Sequence, residues 1–278
     1  MKKFLTLLMV CVLALMTGCG SGEKKSAEGQ IKLGMITHLN VSETLLDNYF
    51  EKASSRMQQT SGMYAPKHIF FDNMTSMVAA LKSKQIDALS TYYSVSNYLI
   101  AQNDDFVPVN HGIPKVSDSF CCALLKENVA LQKEFDTAID ELRTEGTLKK
   151  LTGTYITNAD ENLPPVAMPN FNDAETVKVA VTGDLPPLDL VLPDGRPSGF
   201  NTALLAEIAS KLGKNFELVK IDSGARAVAL TSKQVDVVFW VAVPQNETLA
   251  PPDCDIPEGV ILTVPYFTDE IVHVKLKK

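Results

Sequence analysis

Ala80-Leu81-Lys82-Ser83-Lys84-Gln85-Ile86-Asp87 and Ala229-Leu230-Thr231-Ser232-Lys233-Gln234-Val235-Asp236 are two versions of one phrase, 149 residues apart. Each reads as a helix end, a short turn and an aspartate that opens a buried strand. Before the first, periodicity predicts strand Ile31–Thr37, helix Ser42–Gln59, strand His68–Asp72 and helix Thr75–Ser83, leading into strand Ile86–Thr91. Around the second it predicts strand Val177–Thr182, helix Thr202–Leu212, strand Phe216–Ile221, helix Ala225–Ser232 and strand Val235–Val243. Strands that alternate with helices lie parallel in a sheet with helices on both faces, so the chain reads as an α/β protein with two related halves. Between the runs come a strand over Phe120–Leu125 and two helices over Asn128–Leu151 broken near Gly146. A polar, proline-containing connector follows over Asn158–Ala174, and a final strand covers Val272–Lys277.

The amino terminus predicts export. Lys2 and Lys3 precede an apolar run from Phe4 to Met16, then Thr17, Gly18 and Cys19. That run is short for a membrane span and has the layout of a signal peptide. Leu15-Met16-Thr17-Gly18-Cys19 resembles a bacterial lipoprotein signal, which implies cleavage after residue 18 and a lipid on Cys19. Residues 19–30 read as a flexible tether to a membrane. Loss of Lys2 and Lys3 moves the formal charge from −7 to −9, which argues against nucleic acid or an anionic membrane surface as partner. Of five cysteines, Cys121, Cys122 and Cys254 remain in the folded part; adjacent strand residues point to opposite faces, so a Cys121–Cys122 disulfide is not expected. His38, His68, His111 and His273 lack ligand spacing, so no metal or other cofactor is expected.

The second run resembles the first lobe of bacterial extracellular solute-binding proteins of family 3, the amino-acid-binding receptors of ABC importers with the type II periplasmic-binding fold. The resemblance rests on Thr182-Gly183-Asp184-Leu185-Pro186-Pro187-Leu188, on Gly199-Phe200-Asn201 running through Glu207-Ile208-Ala209 to Lys211-Leu212-Gly213, and on Pro265-Tyr266-Phe267. The first run, ending in Glu145-Gly146-Thr147-Leu148-Lys149-Lys150-Leu151, is similar to that family's second lobe. In the family that lobe follows the other, so the resemblance implies a circularly permuted, two-lobed fold. One lobe would hold 31–118 with 271–278 as a returning strand; the other would hold 119–270, with helices 128–151 and connector 158–174. Segments near Phe120 and Ile271 would cross between them.

The resemblance implies a monomeric receptor that captures a small polar solute, an amino acid or related carboxylate, and hands it to a membrane permease. Its site would draw on Ser223 and Arg226, a Ser-x-x-Arg in which the guanidinium suits a carboxylate. The alternative is an arginine on the solvent face of a short helix with Ser223 as N-cap. Thr182, Leu185 and Leu188 would form a wall of the cleft, and Val241 and Val243 part of its loop. Trp240 stands on the same strand, where alternation can aim it into the core. In the other lobe Thr37, His38 and Asn40 resemble an anion-facing turn, although Asn40 with Glu43 also makes a capping box. Tyr92 stands where the family has an aspartate for the ligand's ammonium, and Thr248 where it has an arginine for the α-carboxylate. Either the ligand lacks that head group or other residues, Arg226 among them, hold it. A sensor signalling to a membrane partner is the competing function. An enzyme is not expected, because the sequence has no Gly-x-Ser-x-Gly elbow, phosphate-cradling Gly-Lys loop or His-Glu-x-x-His motif.

Overall fold

The two copies of the repeated phrase fold into the same structure. In each, two successive N–H groups return to one helix carbonyl: Gln85 and Ile86 to Ala80 O at 2.9 and 3.4 Å, Gln234 and Val235 to Ala229 O at 2.9 and 3.3 Å. Each turn places a lysine in the left-handed region, Lys84 at φ 61° and Lys233 at φ 60°. Each aspartate then grips the neighbouring strand twice. Asp87 accepts the N–H of Lys32 at 2.8 Å and donates its own N–H to Lys32 O at 2.9 Å, and Asp236 does the same with Lys178 at 2.8 and 2.9 Å. The aspartate thus fixes the register of the strand it opens.

The computed structural model describes residues 31–36, 66–109, 117–158, 163–245 and 257–277. Residues 1–30, over which a signal peptide, a lipid on Cys19 and a tether are expected, the helix expected over Ser42–Gln59, and Thr37, His38, Asn40, His111, Thr248 and Cys254 lie outside the described residues. From Ile31 onward the chain is one compact unit. Its strands are β1 (Lys32–Ile36), β2 (Lys67–Phe71), β3 (Ala88–Tyr92), β4 (Phe106–Pro108), β5 (Ser117–Leu125), β6 (Thr176–Val181), the short β7 (Asp184–Leu185), β8 (Asp189–Val191) and β9 (Pro197–Ser198), β10 (Asn215–Lys220), β11 (Val237–Pro244), β12 (Val260–Leu262) and β13 (Phe267–Leu276). Its helices are α1 (Met74–Lys82), α2 (Tyr93–Gln102), α3 (Val129–Thr144), α4 (Thr147–Thr152), α5 (Phe200–Leu212) and α6 (Arg226–Thr231).

One sheet runs β10-β6-β11-β5-β13-β3-β1-β2, with β12 beside β5 and β4 beside β13. It is a duplication. β1 pairs parallel with β2 and β3, and β6 with β10 and β11, as the alternation predicts. Each triplet then takes an antiparallel strand from a distant part of the chain, β13 against β3 and β5 against β11. The halves join through these strands: Phe267–Glu270 of β13 pairs with Ser117–Phe120 of β5, after which Ile271 onward pairs with β3. Sequence periodicity finds only the far end of β13 because its buried positions follow no clean alternation.

The core follows from the patterns. On α3, Phe135, Ala138, Ile139 and Leu142 are buried at helical spacing, and Phe135 stacks on Phe216 of β10 at 5.6 Å. Gly146 at φ 81° supplies the left-handed break before α4. Cys121 and Cys122 are buried free thiols, and burial pushes the Cys121 thiol up to about 11.

Two of the histidines that are scattered in sequence share one face of the first half-sheet. His68 pairs through Leu33 with Ala88, and His273 pairs with Ser90, two residues along the same strand. Burial, with His273 nearby, lowers the pKa of His68 to about 4, and burial also lowers that of His273. A depressed histidine stays neutral in the fold while the unfolded chain takes up a proton, so its contribution is present above the unfolded value and lost as pH falls toward the folded one. Stability is therefore expected to fall between about pH 6.5 and 4. Melting curves across that window check this, and His68→Gln should flatten the fall; an unchanged slope would exclude His68 as its source.

Candidate functional site

Segments that follow β2, β6 and β10 meet beside the end of β3 and the bulged part of β11, the kind of place at the carboxyl ends of parallel strands where ligands bind in α/β sheets. The halves touch there directly. Ser223 N–H, after β10, donates to Asp72 O, after β2, at 3.1 Å. Asp184, after β6, accepts the N–H of Thr75 in the first turn of α1 at 3.1 Å, beside the Asn73 side-chain cap on Ser76 N–H. Tyr92, ending β3, meets Trp240 of β11 edge to face at 6.0 Å and Phe120 of the crossing strand at 4.7 Å.

A bulge in β11 shapes this junction. Val238 pairs with Ala123 and Val241 with Cys121, so Phe239 and Trp240 together face the single residue Cys122. Cys122 is served instead by Thr263, whose hydroxyl accepts its N–H and whose N–H donates to its carbonyl, both at 2.9 Å. The carbonyls freed on the bulged strand go to Arg226: its NH1 donates to Trp240 O at 2.8 Å and Phe239 O at 3.4 Å. The same guanidinium lies 5.0 Å from the centre of the Trp240 ring. Arg226 is 3 % exposed, so the solvent-face alternative is wrong. The N-cap alternative for Ser223 fails as well: Ser223 is itself buried and begins a 3₁₀ turn over Ser223–Ala225, with no side-chain cap. Burial arises because the turn and the short α6 drop the arginine onto the bulge instead of holding it outward.

Beside Arg226 lies Asp189 of β8, fully buried and unmarked in the sequence reading. It accepts from the Thr182 hydroxyl and from Gly183 N–H. Burial raises its pKa, while those two bonds and the Arg226 charge pull it back. Thr182 therefore spends its hydroxyl within the protein. Leu185 and Leu188 are buried in the main core, and Leu188 offers its carbonyl to Asn201 N–H at 2.7 Å. Val241 turns the other way, into a smaller core with Ala123, Ala180 and Val238. Val243 is half-buried. Of the residues singled out from sequence, then, Thr182, Arg226, Trp240 and Tyr92 are linked at the junction, Ser223 seals its edge, and Val241 faces away.

The crossing strands add carboxylates that sequence reading missed. Asp118 and Asp269 are register partners. Asp118 accepts the Tyr92 hydroxyl at 2.7 Å, and Asp269 accepts Ser94 N–H at 3.1 Å at the start of α2. Burial raises the pKa of Asp269, and these helix contacts oppose it. No local pattern marks Asp118; its burial and its partner follow from the pairing of the two crossing strands. A cavity of about 400 Å³ lies elsewhere, on the outer surface between α3 and α5, lined by Lys133, Glu134, Glu141 and Lys211 among others. Among the described residues no group of three or more side chains could hold a metal ion, and no helix is long and apolar enough to cross a membrane.

Residues 177–247 match the family described as bacterial extracellular solute-binding proteins, family 3. No curated protein matches the chain. Solved structures similar to it include a ligand-binding component of an ABC-type import system from Staphylococcus aureus, 11% identical with a TM-score of 0.45, covering 88% of this chain and 65% of that one. The chain thus spans just under two thirds of that protein. Another is a nutrient-binding protein from Burkholderia cenocepacia bound to methionine, 15% identical, TM-score 0.41, covering 88% and 84%. A third is described as a putative methionine-binding lipoprotein from Bacillus subtilis, 12% identical, TM-score 0.41, covering 90% and 85%.

Proposed function

We infer, from a second half whose residues 177–247 match bacterial extracellular solute-binding proteins of family 3, that the chain is the binding receptor of an ABC importer. It takes a small polar solute, an amino acid or related carboxylate, between two lobes and delivers it to a membrane permease. It acts outside the cytoplasm, tethered by lipid on Cys19. The lobes are 31–118 with 271–278, and 119–270, in permuted order relative to the family.

The observation that supports this best is the duplicated half-sheet, whose parallel strands end at a shared junction and which is joined by two crossing strands. Such a joint lets the halves open and close, and a ligand favours closure only through contacts it makes in the closed form. The halves themselves already touch at Ser223 with Asp72 and at Asp184 with Thr75.

The test is thermal unfolding against L-methionine, L-glutamate, L-glutamine, succinate and a dipeptide. A ligand at a hundredfold over its Kd adds about 2.7 kcal/mol, which at this size raises the melting temperature by roughly 5 to 10 °C. Ser223→Ala should weaken that ligand by about tenfold, the loss of one hydrogen-bonding group. If none of the solutes moves the melting temperature, the amino-acid and carboxylate reading fails.

A further inference from the structure

Strict alternation along β11 would send Trp240 into the smaller core. Val237 and Phe239 lie in the main core and Val238 and Val241 in the smaller one; the bulge places Trp240 with the main core, directly after Phe239. The backbone at Trp240 sits at φ 64°, the left-handed region that glycine or asparagine occupies readily and a bulky aromatic seldom does. The chain spends its single tryptophan on this position. Such conformations persist only where the surroundings enforce them, and they gather at ligand sites.

The surroundings do enforce it. Arg226 clamps the bulge carbonyls and covers the ring, while Tyr92 from the other half-sheet and Phe120 from the crossing strand each meet the indole at 6.0 Å. All of these contacts use the faces and edges of the ring. None uses its nitrogen: Trp240 is 6 % exposed, and its Nε1–H is buried without an acceptor among the described residues. Buried donors are normally bonded, so an orphan asks for an explanation. Phenylalanine would place an aromatic ring here without the orphan.

We propose that the Trp240 indole N–H is the ligand-facing donor of the junction, and that the solute presents an acceptor oxygen, of a carboxylate or an amide, to it. The inference rests on reading the junction as the ligand site. The indole nitrogen only donates, so the partner atom must accept. The site residue here is a specificity determinant set by a backbone bulge, with Arg226 as a positioning residue that holds the ring through the carbonyls of Phe239 and Trp240.

Two measurements need no identified ligand. Uniformly ¹⁵N-labelled protein has a single indole cross-peak, since there is one tryptophan. Its hydrogen exchange is expected to be at least about a hundredfold faster than that of the Val238 amide, because opening of the halves exposes it while β11 stays paired. Exchange at the Val238 rate would place the indole in a permanently sealed core and overturn the proposal. Trp240→Phe removes only the N–H and part of the ring. Its melting temperature is expected to fall by no more than about 8 °C, the effect of the lost ring atoms alone; a larger fall would mean that the N–H serves the fold, which also overturns it. Any solute found to bind should lose about tenfold in affinity to Trp240→Phe, and equal affinity would refute the donor role. If no solute binds, the receptor reading fails on its own test, while exchange and melting still decide where the indole points.

Discussion

Arg226→Ala is expected to lower the melting temperature by roughly 6 to 12 °C. The guanidinium is buried and bonded to Phe239 O and Trp240 O, carbonyls that the bulge has removed from the β-ladder. Truncation leaves them buried without that donor, strips the cation from the Trp240 face and removes the positive charge next to Asp189. A hydrogen bond from a charged group contributes about 1.5 to 3 kcal/mol, and an orphaned acceptor adds its desolvation penalty, so a loss of about 3 kcal/mol is reasonable. A chain of this size loses about 2 to 4 °C per kcal/mol. Arg226→Lys keeps the charge but not the planar fork that covers the ring, and should recover less than half. Calorimetric melting decides the matter: an Arg226→Ala protein that melts within 2 °C of the parent would show that the bulge does not depend on the clamp. Loss of ligand response in Arg226→Ala alone therefore does not make Arg226 a ligand contact. Ser223→Ala and Trp240→Phe are the cleaner probes.

The clamp also shows where sequence reading works and where it stops. The phrase ending at Asp87 and Asp236 was legible because its chemistry is local: a helix end, a left-handed turn and an aspartate gripping the adjacent strand all fall within eight residues. The parallel triplets followed from alternation of strands with helices. The crossing strands were placed only approximately, at Phe120 and Ile271, because pairing of residues 117–120 with 267–270 joins segments that no local pattern connects. Trp240 was ambiguous for a definite reason. Alternation is the only guide to side-chain direction in a strand, and a bulge is an extra residue that shifts it by one. Asp189 and Asp118 escaped because an aspartate near a turn normally stays in water, and only the fold places these two beside Thr182 and Tyr92. Helix α2 was missed because Tyr93–Gln102 carries a weak apolar pattern and takes its N-terminal partner, Asp269, from the far end of the chain.

Gly199→Ala should be as damaging as loss of Arg226, for a purely steric reason. Gly199 holds φ 106° and ψ 167° at the start of α5, a region that only glycine adopts freely. It does so because the preceding loop folds back to cap the helix: Pro187 O accepts Phe200 N–H at 2.9 Å, and Leu188 O accepts Asn201 N–H at 2.7 Å. A Cβ on Gly199 would lie 2.4 Å from Leu188 O, 2.8 Å from Leu188 C and 2.9 Å from Pro187 O. All three are backbone atoms, so no rotamer change relieves the overlap. The loop must withdraw, the first N–H groups of α5 lose their acceptors, and the loop carrying Leu185 and Leu188 shifts with them. A cost of about 3 to 5 kcal/mol follows, or roughly 10 °C or more in melting temperature. Gly213→Ala provides the internal control. Gly213 ends the same helix at φ 63° with nothing within 4 Å of its Cβ position, so its replacement should cost only the left-handed penalty, about 1 to 2 kcal/mol. Equal melting temperatures for the two variants would mean that the Pro187–Leu188 loop does not seat on Gly199. A Gly199→Ala protein several degrees below Gly213→Ala would show that the Gly199-Phe200-Asn201 motif works by letting one backbone lie against another.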